Sequence, residues 1–499
     1  MLPALPILIP LITGILLLLM GSRGKLNRGV SILSLLVQIL AGLMLAREAY
    51  TSGMAITHLG SWKAPLGIVL VGDKVASILV ILALLVALAS TLTGFSERSA
   101  AGDNPMRLPL VQFLVTGIQL SFLTGDLFNL FVAFEVMLLS SYGLMTLEAD
   151  PKRIKQAYPY VILNLLASAI FLAGCGYAYA LFGTLNYAGM AEAAQLLADA
   201  PGGAARISIL TAVLALVFSI KAGMFPLYYW LPNSYPVLPP SLGALYSGLL
   251  TKVGIYVLLR LLGTIMPHTQ EGLYLTIAWL GGATMLFGVL GAVSRMGVRE
   301  ILAFHVVSQV GFMILAIGFF TPVAFAATIF YMVHHIIVKS ALFLTASGIL
   351  KQFGTDNLTK TGGLWKKAPL FSVVFLIMAF SLAGLPPLSG FWAKLWILME
   401  GISGKYYSLV AISLVASVLT LASMLKIWFG AFWQPAPDNC PDKMPMGAAL
   451  WTALGLMTIV SLGVVLAVGP LWNASMAAAS EMLTPSIYIE QVLSKGGTP

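Results

Sequence analysis

Along this chain, long apolar runs alternate with short polar stretches. Fourteen runs are legible, at about 3–20, 28–47, 75–96, 108–124, 127–147, 158–182, 207–231, 241–262, 273–293, 300–319, 322–350, 370–400, 407–432 and 448–470. Each has the length that a bilayer core demands of a helix, roughly 17–30 residues. The longest polar stretches are 48–74, 183–206, 351–369 and the last 28 residues, and no soluble domain fits in any of them. The pattern predicts an all-α polytopic membrane protein of about fourteen transmembrane helices.

Two of the runs are interrupted. Residues 380–396 place Gly384, Pro386, Pro387 and Gly390 at the centre of an apolar span, with Lys394 just beyond. Proline removes a backbone donor and clashes with the preceding turn, so a helix must break here. A break in lipid is tolerated only where the freed carbonyls face protein or water. Residues 218–240 repeat the theme: Lys221, Ala222-Gly223 and Pro226 follow one another within a turn or two. The two broken spans lie five helices apart, so the chain crosses them in opposite directions. That arrangement predicts two inverted five-helix repeats, each with a broken helix at an ion site. The expected organisation is 1–100 for the first three spans, 105–265 and 270–433 for the repeats, and 445–499 for the last span and tail.

Composition agrees with the span pattern, since hydrophobic residues make up 59% and charged residues 9%. The net charge of +9 arises from basic residues in short loops, which points to membrane orientation and away from nucleic acid. One side carries Arg23, Lys25, Arg28, Arg98, Arg107, Lys152, Arg153, Lys155, Arg295, Arg299, Lys351, Lys360, Lys366, Lys367 and Lys443; the other carries Arg47, Lys63, Lys74, Arg206, Lys405 and Lys495. The richer side is expected in the cytoplasm, with both termini outside. Met-Leu-Pro-Ala-Leu-Pro at the start has no basic region or cleavage site and is expected to open the first retained helix. Cys175 and Cys440 are too few for an iron–sulfur cluster or a disulfide framework. No Walker loop, dinucleotide fingerprint, haem-attachment motif or metal-ligand spacing is present, so no cofactor and no metal are expected. Gly281, Gly282 and Gly288 lie within an apolar span and are expected to permit close helix packing.

The candidate chemistry lies in ionisable residues at membrane depth. Glu135 is about nine residues into the fifth span, and Lys252 is near the middle of the eighth. His335 and Lys339 are spaced i,i+4 on one face of the eleventh, with His334 adjacent. Ionisable groups at this depth are costly and mark ion paths. In low dielectric a lysine gives up its proton easily, and a nearby carboxylate opposes that. Glu135 is the expected partner of Lys221, so a change in their separation would load or unload the lysine. Arg260 and Lys426, near span ends, are expected to snorkel to the interface. His305 lies near the cytoplasmic start of the tenth span, with Ser308 and Gln309 one turn on; it reads equally as a proton uptake point or a capping histidine.

At these residues the chain resembles the antiporter-like proton-channel family shared by respiratory complex I, membrane-bound hydrogenases and Mrp-type Na+/H+ antiporters. The resemblance covers nearly the whole chain and is strongest over 105–400. Its most specific stretch is Gly384-Leu-Pro-Pro-Leu-Ser-Gly-Phe-Trp-Ala-Lys394. It implies a fourteen-helix fold, a carboxylate at Glu135, a broken-helix lysine at Lys221, a connecting lysine at Lys252, a His335–Lys339 pair and a second broken-helix lysine at Lys394. Where complex I members read Pro-Leu-His-x-Trp-Leu-Pro-Asp-Ala-His, this chain has Tyr228 and Asn233 for the histidine and aspartate. That substitution, with the short tail, is similar to the D-type branch of the Mrp antiporters. The resemblance implies a proton-translocating subunit in a prokaryotic plasma membrane. Its expected partners are a larger A-type homologue and small hydrophobic subunits, with H+ and Na+ as the ions. The alternative is a proton-pumping subunit of a redox complex.

Overall fold

The structure, a computed structural model, describes residues 1–97, 104–147, 151–437 and 446–494. Arg98, Cys440, Lys443 and Lys495 lie outside the described residues, as do the side chains of Lys152 and Arg153. The chain opens with α1 (Leu5–Met20) and α2 (Gly24–Thr51), then a hairpin of β1 (Ala55–His58) and β2 (Val69–Gly72). There follow α3 (Lys74–Gly94), α4 (Arg107–Leu123), α5 (Leu127–Thr146), α6 (Pro151–Phe182), α7 (Tyr187–Ala198) and α8 (Gly203–Ala222). Next come α9 (Trp230–Ser234), α10 (Pro240–Arg260), α11 (Glu271–Ser294), α12 (Val298–Phe319) and α13 (Pro322–Phe353). The chain continues with α14 (Leu364–Lys367), α15 (Pro369–Ala383), α16 (Ser389–Ser403), α17 (Tyr407–Ile427), α18 (Ala448–Leu466), α19 (Val468–Met482) and α20 (Pro485–Ser494).

Among the described residues, twelve helices are long and apolar enough to cross a membrane, and α4 and α15 are shorter apolar helices. Taken in order, they fall on the fourteen predicted spans, the twelfth (370–400) being divided between α15 and α16. The polar stretches hold more structure than their composition announces. Residues 48–74 contain the antiparallel hairpin, Ala55 opposite Gly72 and His58 opposite Val69. Residues 183–206 contain α7, capped by Asn186, whose side chain accepts from the Ala188 and Gly189 amides. The tail forms α19 and α20, whose Tyr488 and Val492 pack into the body of the protein.

Burial grades the helices from centre to rim. Every residue of α10 is buried, and α12 and α13 are nearly so, whereas α1, α2, α6, α17 and α18 are largely exposed along one side. A helix with no outward face must be compatible with protein all round, so charge on it has to be satisfied internally. The expected packing role of Gly281 and Gly288 is visible here. A Cβ on Gly281 would lie 2.5 Å from the Leu315 amide, and one on Gly288 would lie 2.4 Å from that of Ser308. α11 and α12 therefore touch backbone to backbone.

One expectation fails. Arg260 does not snorkel: it is buried at the end of α10, pairs with Asp73, donates to the Tyr256 hydroxyl at 3.0 Å, and lies over the rings of Tyr256 and Tyr488. Asp73 caps α3, accepting from the Ala76 amide at 2.8 Å, and so brings the opposite charge to the same depth. With a partner there, the guanidinium has no reason to reach for water.

Candidate polar relay in the buried helices

The first broken span places Lys221 in the last turn of α8, where Gly223, at φ 80°, ends the helix. The Gly223 amide returns to the Ile220 carbonyl and the Met224 amide to that of Ser219, at 3.1 and 3.0 Å. The Trp230 indole also donates to the Ile220 carbonyl at 3.1 Å. Freed helix carbonyls are thus satisfied locally while the chain turns through Pro226. The Lys221 ammonium lies at the negative end of α8, 3.4 Å from the Ser168 hydroxyl and 4.4 Å from the centroid of Phe134.

Glu135, next to Phe134 on α5, is half-buried, and its Oε1 has no hydrogen-bond partner among the described residues. It makes no ion pair among the described residues, yet it lies within electrostatic range of Lys221. The expected partnership is therefore through space, not through contact. The α5 backbone puts Phe134, and not Glu135, beneath the amine.

The centre of the array belongs to α10 and α13. Lys252 is fully buried; its Nζ donates to the Ser247 carbonyl at 2.6 Å and the Thr251 hydroxyl at 3.1 Å, both on its own helix. His335 and Lys339 face it from α13 within electrostatic range. Both ring nitrogens of His335 and the Lys339 Nζ are buried without a hydrogen-bond partner among the described residues. These are groups that a stable apolar core does not leave unsatisfied.

In the second broken span, Gly384, at φ 90°, ends α15. After Pro386 and Pro387, α16 begins at Ser389, and its Lys394 reaches back to donate to the Ala383 carbonyl at 2.9 Å. The Phe312 ring lies 4.9 Å from the amine. His334 joins this break through Nδ1, 2.8 Å from the Ser389 hydroxyl, and Ser389 is 3.0 Å from Ser381.

His305 is neither terminal nor a cap. It is fully buried inside α12, with Nε2 2.5 Å from Ser423 on α17, and it lies within electrostatic range of Lys339, Lys394 and Lys426. Gln309 accepts from the Tyr331 hydroxyl at 2.5 Å, while its Nε2 and the Ser308 hydroxyl have no hydrogen-bond partner among the described residues. Lys426 is half-buried and donates to the Val293 carbonyl at 2.7 Å and to that of Arg295, closing the end of α11. Ser168, Ser381, Ser389, Ser423 and Tyr331 do not stand out in the sequence. A hydroxyl in an apolar span carries no signature beyond its polarity, and most such hydroxyls bond their own helix.

A cavity of about 520 Å³ lies where the far half of the first broken span meets the turn between α11 and α12. It is lined by Tyr228, Asn233, Arg295, Arg299, Glu300 and Asp356 among others, with Arg299 paired to Asp356 at 2.8 Å. Among the described residues, no group of three or more His, Cys, Asp or Glu side chains could hold a metal ion.

The geometry gathers a carboxylate on α5, buried amines on α8, α10, α13 and α16, imidazoles on α12 and α13, and hydroxyls on α6, α15, α16 and α17. Residues 124–420, which contain all of the candidate residues, match the family described as NADH:quinone oxidoreductase/Mrp antiporter, transmembrane. The chain belongs to this family. Over 98% of both chains it is 40% identical to the D-type subunit of the Na+/H+ antiporter of Alkalihalophilus pseudofirmus, and 35% identical to its counterpart in Bacillus subtilis. Among solved structures it is similar to a chain of the Mrp complex from Dietzia, at 32% identity and a TM-score of 0.92 over 99% of both chains. The similarity to the Dietzia chain covers 99% of this one and so extends to the N-terminal helices and the folded tail, which lie outside the 124–420 of the family match.

Proposed function

We propose that this chain is the proton-conducting subunit of a multisubunit Na+/H+ antiporter. Glu135, Lys221, Lys252, His335, Lys339 and Lys394 carry the protons near mid-membrane, while partner subunits complete the exchange. The observation that carries this reading is the pair of innermost helices, where the Lys339 amine and both His335 nitrogens have no hydrogen-bond partner among the described residues. A scaffold would pair each of these costly groups permanently. A relay must leave them able to exchange partners, with water bridging the gaps. The hydroxyls of Ser168, Ser381 and Ser389 accept or donate as the lysines change state.

The subunit is a transporter component and not a catalyst, and its place is the plasma membrane of a prokaryote. Its termini lie outside, following the bias of basic loops. Residues 105–265 and 270–433 form two halves of opposite orientation. In support, α8 and α15 each end at a left-handed glycine beside a buried lysine. The partners are a larger A-type homologue and small hydrophobic subunits, in keeping with relatives named as subunits of Na+/H+ antiporters.

The test uses everted vesicles from an antiporter-deficient bacterium expressing the chain with its operon partners. Collapse of the pH gradient on adding Na+, lost in Glu135→Gln, is the expected result. No response to Na+, with partners that oxidise NADH, ferredoxin or hydrogen, would move the chain to a redox-driven pump.

A further inference from the structure

We propose that Asp73 and Glu97, the two carboxylates flanking α3, are positioning residues that hold α10, and with it Lys252, in register with α13. The proposal rests on the reading of Lys252 as a proton relay.

Helices α3 and α10 are each 21 residues long and pack together, and a carboxylate at either end of α3 grips an end of α10. Asp73 stands before α3 and pairs with Arg260, the last residue of α10. Glu97 stands after α3 and takes the start of α10: its Oε1 accepts from the Ser241 amide at 3.0 Å and its Oε2 from the Ser241 hydroxyl. Arg107 completes this end, donating to the Ser241 hydroxyl at 2.6 Å and to Glu97 at 3.2 Å. The Ser241 carbonyl in turn accepts from Ser90 of α3 at 2.7 Å. Glu97 therefore serves as an N-terminal cap contributed from the segment that follows α3, satisfying a donor that α10 cannot satisfy itself.

Register matters here because α10 approaches its neighbours through glycines. A Cβ on Gly248 would lie 2.3 Å from the Ser340 hydroxyl of α13, and one on Gly254 would lie 2.8 Å from the Ala222 amide of α8. A slip of one residue moves a helix ~1.5 Å along its axis and turns it by ~100°. It would put Leu249 in the place of Gly248 and swing Lys252 away from His335 and Lys339. The hydrogen bonds of Lys252 itself run to Ser247 and Thr251 on the same helix, so they travel with α10 and cannot resist the movement. The two end clamps can. They act beside bonds along the helix, from Ser340 of α13 to the Ala244 carbonyl at 3.0 Å and from the Tyr246 hydroxyl to the Ser141 carbonyl at 2.6 Å, and fix the two ends that those bonds do not reach.

The experiment uses the intact complex in everted vesicles. Assembly is scored on native gels, and the pH profile of Na+-dependent exchange is measured for Asp73→Asn, Glu97→Gln, Arg260→Lys and Lys252→Ala. The expected result is assembled Asp73→Asn and Glu97→Gln complexes whose pH of half-maximal exchange shifts by roughly half a unit or more. Arg260→Lys, which keeps a charge opposite Asp73, should keep the wild-type profile. If Asp73→Asn fails to assemble, Glu97→Gln decides, because Arg107 still holds Ser241 there. An unchanged profile in assembled Glu97→Gln, with Lys252→Ala inactive, overturns the positioning role. Failure of both carboxylate variants to assemble overturns it too, since it leaves them a purely structural role. Wild-type exchange by Lys252→Ala overturns the relay reading itself.

Discussion

Lys394 and Ala383 lie on opposite sides of a helix break and are joined across it, the lysine Nζ donating to the alanine carbonyl at 2.9 Å. The amine thus takes the place of a backbone donor removed by the turn through Pro386 and Pro387. Lys221 stands differently, in the final turn before its break. The two lysines therefore meet helix ends from opposite directions along the chain, each at a negative helix terminus.

Lys394→Ala should reduce exchange to background while the complex still assembles. The lost charged hydrogen bond costs about 1.5–3 kcal/mol locally, which is small against the packing of the whole bundle. Exchange in vesicles and native gels of the same preparation check this. Wild-type exchange in Lys394→Ala would remove the residue from the proton path.

Glu135→Ala and Lys221→Ala should each abolish exchange, since the two act on one another through space. Ser168→Ala should be milder, because the Phe134 ring still supports the amine. At 3.4 Å the Ser168 bond from the Lys221 ammonium is long, so its loss falls at the low end of the range for charged groups, about 1.5 kcal/mol, a roughly tenfold loss of rate. Initial rates of Na+-dependent gradient collapse separate the two classes. Equal loss in Ser168→Ala and Lys221→Ala would make the hydroxyl an obligatory proton carrier.

The spans are legible in the sequence because lipid imposes a length and excludes charge, and the breaks because glycine and proline have few alternatives at such places. Lys252, His335 and Lys339 stand out for the same reason: nothing apolar explains them. Partnerships are not legible. Asp73 and Arg260 are separated by 187 positions, and no local pattern joins them. Chemistry alone pairs Glu135 with Lys221, but the orientation of α5 turns Phe134 toward the amine instead. The hairpin and the tail helices are hidden in stretches whose polarity reads as loop. Their apolar faces, such as Val69 to Val71 and Tyr488, are too short to register beside spans of twenty residues.

Lys426→Ala should leave exchange nearly intact. Its ammonium caps the carbonyls at the end of α11, a helix-terminus interaction worth ~0.3–1 kcal/mol. A slightly lower melting temperature of the purified complex is the expected readout. Complete loss of exchange would assign Lys426 to the neighbourhood of His305, which lies within its electrostatic range.

Gly390→Ala tests how tightly the second break is built. A Cβ at Gly390 would lie 1.8 Å from the Ser381 carbonyl oxygen and 3.0 Å from Nε2 of His334. The first neighbour is backbone, held in the last turns of α15, so it cannot swing aside as a long side chain would. Relief requires α15 and α16 to move apart, which disturbs the Ser381–Ser389–His334 hydrogen bonds and the bond from Lys394 to Ala383. Overpacking of this kind costs typically about 1–3 kcal/mol, and more where backbone must move. Gly455→Ala is the matched control, because a Cβ there meets nothing within 4 Å on α18. We expect Gly390→Ala to lose exchange and most of the assembled complex, and Gly455→Ala to keep both. Should Gly390→Ala assemble normally with full exchange, the two halves of the broken span would have to be less closely apposed than the backbone contact requires.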